Sequence, residues 1–221
     1  MKFDIITIFP EMFKSVFQFG IISQAIKNDL LEINIHDLRD YTDDKHKQVD
    51  DRPFGGGPGM VLMPEPLFKA VESLKDGVET SVIFLTPKGK RLEQSLVEEL
   101  SFKSNKHYII ICGRYEGIDE RVRTELIDME ISIGDFVLSG GEFGAMVLID
   151  SMVRLIPGAI KNDEFNDNES FSNKEDRSLL DFPQYTRPST FKGLSVPDVL
   201  LSGNHSEIEK WRNKNRKNVI Q

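Results

Sequence analysis

Short apolar segments alternate with longer amphipathic segments along the first two thirds of the chain. The short segments are rich in isoleucine and valine, as buried β-strands are, and lie at 3–9, 31–38, 81–86, 107–112 and 129–133. The longer segments repeat apolar residues at helical spacing and lie at 11–17, 20–28, 64–74, 91–100, 119–126 and 142–156. Strands that alternate with helices predict an α/β fold whose mostly parallel sheet carries helices on both faces.

This alternation stops at residue 161. From 161 to 181 the sequence is rich in Asn, Asp, Glu and Ser and has too few apolar residues to pack. Short helical patterns follow it. We therefore predict a main domain at 1–160, a mobile linker at 161–180 and a small helical domain at 181–221.

Composition restricts the class of protein. The 221 residues, 39% hydrophobic and 29% charged, suffice for one sizeable core and a small second domain. No apolar run is long enough to cross a bilayer and the first residues lack a signal-peptide pattern, so we expect a cytoplasmic protein without a membrane partner. The single cysteine, Cys112, excludes an internal disulfide and a multi-cysteine zinc site, and we predict no metal site. Its place at the end of an apolar strand favours a small buried side chain over a catalytic nucleophile.

Charge gives a weaker indication. The net charge of −8 argues against a protein that coats nucleic acid nonspecifically. The segment 205–221 is locally basic, however, and Lys214 and Arg216 are our candidate RNA-binding residues there. From charge alone, a surface that contacts phosphates and a solvated terminal helix are equally good interpretations.

Two glycine-containing loops, at 113–117 and 133–141, directly follow predicted strands. Glycine lets the backbone approach a ligand closely or adopt positive φ, and the carboxyl ends of parallel strands meet at one edge of a sheet. Together with 85–87, these loops offer apolar walls and backbone hydrogen-bonding groups to a small molecule. The predicted lining residues are Leu85, Thr86, Pro87, Gly113, Tyr115, Glu116, Gly117, Ile133, Gly134, Asp135, Phe136, Val137, Leu138, Gly140 and Gly141.

The residues alone do not identify the ligand. Glu116 fits either a hydrogen-bond partner of the ligand or a carboxylate that complements the dipole of the following helix, and Asp135 is similarly ambiguous. The first strand runs into Pro10 and Glu11, so the glycine-rich turn of a nucleotide-binding Rossmann domain is missing. The glycine run at 55–59 lacks the Lys-Ser/Thr of a phosphate loop, and by itself it would be interpreted as a flexible connector.

The motifs at 49–60 (Val-Asp-Asp-Arg-Pro-Phe-Gly-Gly-Gly-Pro-Gly-Met), 109–117 and 132–142 closely resemble the bacterial tRNA (guanine-N1)-methyltransferase family, and the similarity continues through 150–157, 180–188 and 196–212. This resemblance implies a knotted, SPOUT-type α/β fold with a C-terminal trefoil knot in the main domain. It also implies S-adenosylmethionine as methyl donor, tRNA as substrate and a homodimer whose active site crosses the subunit interface. The implied reaction is methylation of the guanosine immediately 3′ of the anticodon.

The resemblance also assigns catalytic roles. The arginine that matches Arg154 acts at the target base, where a guanidinium stabilises negative charge on guanine O6. An Asp150 to Arg154 pair on one helix is the simpler interpretation. The family places its general base in an Asp-Ser-Phe motif, which is Glu169-Ser170-Phe171 in this chain. Glutamate keeps the carboxylate but is one methylene longer; Asp167 is the second candidate, and a solvated linker carboxylate is the alternative interpretation.

Contacts to RNA are implied for Asp50, Gly59 and Arg114. The chain departs from the family pattern at Phe143-Gly144, where Leu-Pro is more usual, in a longer connection at 171–179 and in a shortened C-terminal domain. Two other functions stay open: a knotted methyltransferase that acts on another RNA site, and a catalytically silent tRNA-binding protein.

Overall fold

A computed structural model of the chain describes residues 1–75, 79–103, 107–160 and 169–218. Contacts divide the chain into two compact units, Met1–Lys161 and Asn162–Gln221. The strands are β1 (Lys2–Thr7), β2 (Glu32–Asp37), β3 (Asp50–Asp51), β4 (Val61–Leu62), β5 (Thr80–Arg91), β6 (His107–Ile111), β7 (Met129–Ser132), β8 (Thr190–Phe191) and β9 (Leu194–Ser195). The α-helices are α1 (Gly20–Lys27), α2 (Pro64–Leu74), α3 (Gln94–Phe102), α4 (Glu120–Leu126), α5 (Glu142–Val153), α6 (Asp198–Leu201) and α7 (His205–Asn215).

The first unit is built on a parallel five-stranded sheet. Its strand order is β2-β1-β6-β5-β7, and each neighbouring pair is parallel. All five predicted strands are present in this sheet. The prediction of an α/β fold with a parallel sheet is therefore confirmed.

Helices cover both faces of the sheet because successive side chains of a strand point to opposite sides. Phe3 and Ile5 of β1 belong to a buried cluster that includes residues of α1, α3 and α5. Ile6 belongs to a second cluster on the other face, with residues of α2 and α4. Burying one large aliphatic or aromatic side chain contributes about 1.5–3 kcal/mol. These two layers hold the strand ends in place at the edge where the glycine loops begin.

The helix predicted at 11–17 is wrong. The structure has two 3₁₀ turns there, Pro10–Phe13 and Val16–Gln18. Seven residues are too few for a stable isolated α-helix, and tertiary contacts decide their conformation. The rings of Phe13 and Phe17 are buried and stack 5.6 Å apart, so the two turns are fixed by packing.

β5 is longer than its apolar pattern predicts. The apolar residues end at Leu85, but the strand continues to Arg91, and α3 therefore begins at Gln94 and not at 91. Leu85 and Lys90 both pair with Ile131 of β7, across a register shift. The residues between Leu85 and Lys90 leave the regular ladder and are free to form one wall of a cleft.

The second unit contains a β8–β9 hairpin followed by α6 and α7. The guanidinium of Arg212 lies 4.8 Å from the centre of the Phe182 ring. Residues 161–168 of the predicted linker lie outside the described residues. In the rest of that segment, the Leu180 N–H donates to the Lys217 carbonyl at 2.8 Å, and the Ser170 hydroxyl accepts the Asp181 N–H at 2.9 Å.

Candidate functional site

A cleft of about 240 Å³ lies at the carboxyl ends of β6 and β7, beside the middle of β5. It is lined by residues 84–87 within β5, by 113–117 after β6, and by residues of 131–141 together with Gly144. Every residue predicted to bind S-adenosylmethionine lines this cleft, except Asp135. Asp135 lies outside the lining, with its carboxylate 3.3 Å from Arg91 Nη1 on the surface. The additional lining residues are Phe84, Arg114, Ile131, Ser132, Ser139 and Gly144.

The loops around the cleft are packed too tightly for side chains at two glycines. A Cβ on Gly141 would lie 2.8 Å from the Cα of Cys112 and 3.1 Å from the backbone nitrogen of Gly113. The Gly141 N–H donates to the Gly113 carbonyl at 2.9 Å. A Cβ on Gly140 would overlap the Arg114 side chain. Gly141 has φ of −77°, so its requirement is space and not a left-handed backbone.

Cys112 lies where the loop after β7 packs on the end of β6, in contact with Gly141. Its side chain is buried, and burial raises the pKa of its thiol well above the usual range, with a further contribution from the charge of Glu142. A thiol that stays protonated is a poor nucleophile. The interpretation of Cys112 as a small buried side chain therefore agrees with its surroundings.

The glycine run at 55–59 contacts the wall of the cleft. A Cβ on Gly59 would lie 2.5 Å from Glu116 Oε1. The Glu116 N–H donates to the Met60 carbonyl and the Leu62 N–H to the Gly117 carbonyl, both at 3.0 Å. Gly59, a predicted RNA-binding residue, is therefore in direct contact with Glu116, a residue predicted to bind S-adenosylmethionine.

The two-stranded ladder of β3 and β4 carries the rest of this glycine-rich segment. Asp50 of β3 pairs with Leu62 of β4, beside the connection to Gly117. The Phe54 side chain, which precedes the glycines, is fully exposed. Phe54 was not among the predicted site residues, although an aromatic residue beside four glycines is itself an indication of a contact surface.

Arg114 is engaged by several groups of the first unit. Its Nε donates to Glu142 Oε1 at 3.1 Å, and its Nη1 donates to the Ser139 carbonyl at 3.1 Å. Its guanidinium also lies 4.6 Å from the centre of the Phe9 ring. Glu142, which begins α5, is fully buried and was not among the predicted site residues. An acidic residue that begins an otherwise apolar helix was the available signal.

The two predicted catalytic residues belong to different units. Arg154 follows the last residue of α5, and its N–H donates to the Asp150 carbonyl at 3.3 Å. Glu169 lies in the second unit, where its carbonyl accepts the Ser172 hydroxyl at 2.7 Å. Asp167 lies outside the described residues. The catalytic roles of Arg154 and Glu169 stay predictions.

The predicted RNA-binding residues Lys214 and Arg216 lie at the end of α7. Lys214 is exposed. The guanidinium of Arg216 lies 5.8 Å from the centre of the Phe182 ring, on which Arg212 also packs. Lys214 is therefore the more accessible cation of the predicted pair.

No helix among the residues that the structure describes combines the length and apolar character needed to cross a membrane.

Comparison with known proteins identifies the family. The model of the family described as tRNA (Guanine-1)-methyltransferase TrmD matches residues 1–221. A tRNA (guanine-N(1)-)-methyltransferase of Dictyoglomus turgidum is 52% identical over 214 residues, which are 97% of this chain and 84% of that protein. The protein of the same name from Staphylococcus carnosus is 50% identical over 216 residues, 98% of this chain and 86% of its own. The protein of that name from Ruminiclostridium cellulolyticum is 52% identical over 215 residues, which are 96% of this chain and 89% of that protein. The chain therefore belongs to the tRNA (guanine-1)-methyltransferase family.

Proposed function

We propose that this protein transfers a methyl group from S-adenosylmethionine to N1 of the guanosine immediately 3′ of the anticodon in tRNA. The observation that carries the proposal is the contact between Gly59 and Glu116, because it joins the glycine-rich loop to the cleft. The names of relatives about half identical over nearly the whole chain support the reaction type and the substrate.

The chemistry of the cleft fits S-adenosylmethionine. Leu85, Ile133 and Leu138 supply apolar contacts for a flat adenine, and the closely packed glycine loops expose backbone N–H and C=O groups for its polar edge. Glu116 adds a carboxylate to a wall of the cleft, which suits the cationic methyl donor. When bound, the donor supplies the methyl group that guanine N1 receives.

The residues proposed for the chemistry act on the base. N1 of guanine is weakly acidic, so a general base must accept its proton, and we assign this role to the carboxylate of Glu169. Loss of the proton spreads negative charge onto O6. Arg154 would stabilise that charge. Because the charge develops only as the proton leaves, this stabilisation lowers the reaction barrier more than it strengthens substrate binding.

A homodimer with a shared active site is part of the proposal. Phe143 and Val147, four residues apart on α5, are both about half exposed, and so is Phe9, which precedes the 3₁₀ turn that packs against α5. Apolar side chains at this spacing form one helix face, and a second copy of the chain would cover it. Sedimentation analysis tests this: Val147→Glu should convert a dimer to a monomer and remove methyl transfer.

The remaining parts of the proposal follow the family. The main domain at 1–160 would contain the trefoil knot that the family resemblance implies. A linker at 161–180 and a helical tRNA-binding domain at 181–221 would complete the chain. Asp50, Gly59, Lys214 and Arg216 would contact RNA. The cytoplasm is the proposed location.

Incubation of the purified protein with labelled donor and bulk tRNA, followed by mapping of the labelled nucleotide, tests the function. Label at N1 of the guanosine 3′ of the anticodon is the expected result. Label at another RNA position would favour a methyltransferase with a different target. Binding of tRNA without any transfer would favour a silent tRNA-binding protein.

A further inference from the structure

A fully buried carboxylate lies behind the cleft. Glu142 Oε1 accepts hydrogen bonds from the Thr7 hydroxyl at 2.8 Å and from Arg114 Nε at 3.1 Å. Its Oε2 lies 2.8 Å from Arg114 Nη2. A buried charge is tolerated only when it is paired and hydrogen-bonded, and Arg114 is the ion-pair partner that the described part of the chain supplies.

This carboxylate connects three segments that end at the same edge of the sheet. Thr7 is the last residue of β1, Arg114 belongs to the loop after β6, and Glu142 begins α5 after the loop that follows β7. Arg114 Nη1 extends the network to the Ser139 carbonyl at 3.1 Å. Two of the three loops that line the cleft are therefore held together through Glu142.

The position of the glycine loop depends on this network. Ser139 and Gly140 both line the cleft, and Gly140 packs against the Arg114 side chain so closely that a Cβ would overlap it. Arg114 and Gly140 also form an isolated β-bridge. A change in the Arg114 side chain would therefore move the backbone that the ligand contacts.

The same contacts argue against Arg114 as a phosphate contact. Only 13% of its side chain is exposed. Its Nε and Nη1 are hydrogen-bonded within the first unit, and its Nη2 lies 3.3 Å from the sulfur of Met12. Turning the guanidinium toward RNA would leave the Glu142 carboxylate buried without its cation, which is unfavourable.

We propose that Glu142 and Arg114 are a positioning pair that sets the geometry of the methyl-donor cleft, and that neither residue contacts RNA. This inference rests on the proposed function, because it assumes that the cleft binds S-adenosylmethionine. The pair acts through the Ser139–Gly140 backbone and takes no part in the transfer itself.

Calorimetric titration of S-adenosylmethionine into the RNA-free protein tests the proposal. Glu142→Gln keeps the shape of the side chain and removes its charge, and Arg114→Lys keeps the charge and removes the planar fork. Each should weaken donor affinity about tenfold, as expected when a charge-assisted hydrogen bond is lost. The double variant should bind S-adenosylmethionine only slightly more weakly than either single variant, because the two residues act as a unit. Arg123→Ala is the control and should leave affinity unchanged; it removes an arginine of α4 that pairs with Glu120 of the same helix and with Glu130 of β7.

Steady-state kinetics separates positioning from loss of stability. Both variants should raise the KM for the donor and keep kcat at saturating donor within about threefold of the unmutated protein. Affinity for tRNA measured without donor, and its dependence on salt, should not change. If Glu142→Gln does not fold, Arg114→Lys and Thr7→Val report on the same network.

Two results would overturn the inference. One is a folded Glu142→Gln protein that binds donor as tightly as Arg123→Ala. The other is an Arg114→Lys protein that loses tRNA affinity and part of the salt dependence while donor affinity is intact. Failure of the unmutated protein to bind donor would instead refute the proposed function, so the two failures are distinguishable.

Discussion

Gly59 and Glu116 are in such close contact that a methyl group added to Gly59 would lie 2.5 Å from the Glu116 carboxylate oxygen. The two residues come from loops 57 positions apart, and backbone hydrogen bonds at Met60 and Leu62 fix their separation. The glycine-rich loop and the cleft consequently share a wall. A change in one should be detected in the other.

Gly59→Ala is therefore expected to weaken S-adenosylmethionine binding even without RNA, since the added methyl group displaces Glu116. Gly56→Ala is a matched control: its φ of +81° is close to the +84° of Gly59, but nothing lies within 4 Å of its Cβ position. Calorimetry on both variants separates displacement of Glu116 from backbone strain. Equal donor affinity in the two would mean that the contact does not connect the sites.

Gly141→Ala tests the junction between the loops after β6 and β7. Its methyl group would press on the backbone at Cys112 and Gly113, and overpacking of this kind costs about 1–3 kcal/mol. We expect a lower free energy of unfolding in urea and weaker donor binding. Gly20→Ala adds a methyl group where nothing lies within 4 Å and should leave donor binding unchanged. Wild-type donor affinity in a folded Gly141→Ala protein would remove this junction from the site.

The Asp4 carboxylate should make stability depend on pH. Burial opposes its ionisation, but hydrogen bonds from His36, His107 and Asn34, together with the charge of Lys2, outweigh burial and hold the pKa of Asp4 well below its usual range. The distances are 2.8 Å to His36 Nε2 and 2.7 Å to His107 Nε2.

Because the pKa of Asp4 is lowered on folding, its contribution to stability is complete above the unfolded pKa of about 3.9 and is lost as pH falls toward the folded pKa. Urea unfolding between about pH 5 and pH 3 should therefore show a steeper loss of stability in the unmutated protein than in Asp4→Asn. Parallel curves for the two proteins would contradict the lowered pKa.

Arg154→Ala and Glu169→Gln should each lower the single-turnover rate of methyl transfer about a hundredfold or more, as expected for loss of charge stabilisation or of a general base. Donor binding should be intact. Glu169→Asp should retain activity, because the carboxylate remains. If Glu169→Gln transferred methyl groups as fast as the unmutated protein, with the chemical step shown to be rate-limiting, the base would instead be Asp167 or another carboxylate.

Lys214 and Arg216 should differ in their effects. Lys214→Ala removes an exposed cation and should reduce the salt slope of tRNA binding by about one. Arg216→Ala also removes a cation that lies over the Phe182 ring, so we expect some loss of stability in the second unit. Filter binding at several salt concentrations checks the first expectation, and an unchanged slope for Lys214→Ala would indicate a solvated helix.

The parallel sheet and the glycine loops could be predicted because both depend on local sequence. Strands buried on both faces read as apolar runs, and glycines after such runs indicate close backbone approach. The segment at 11–17 could not be assigned correctly, since the stacking of Phe13 on Phe17 and not helical propensity sets its conformation.

The polar networks could be identified only from the three-dimensional structure. Glu142 meets Arg114 across 28 positions and Thr7 across 135, and no local pattern indicates such pairs. Asp4 and His107 are 103 positions apart and read in the sequence as ordinary polar residues of strands. Long-range pairs of this kind are decided by sheet order, which periodicity does not specify.

The most direct measurement of the central claim is single-turnover methyl transfer from labelled S-adenosylmethionine to two tRNA transcripts that differ only at the nucleotide immediately 3′ of the anticodon. With guanosine at that position, label should appear at N1 of that base. With adenosine there, transfer should be absent. Equal labelling of both transcripts, or no labelling of either by a protein that binds the donor, would contradict the proposed function.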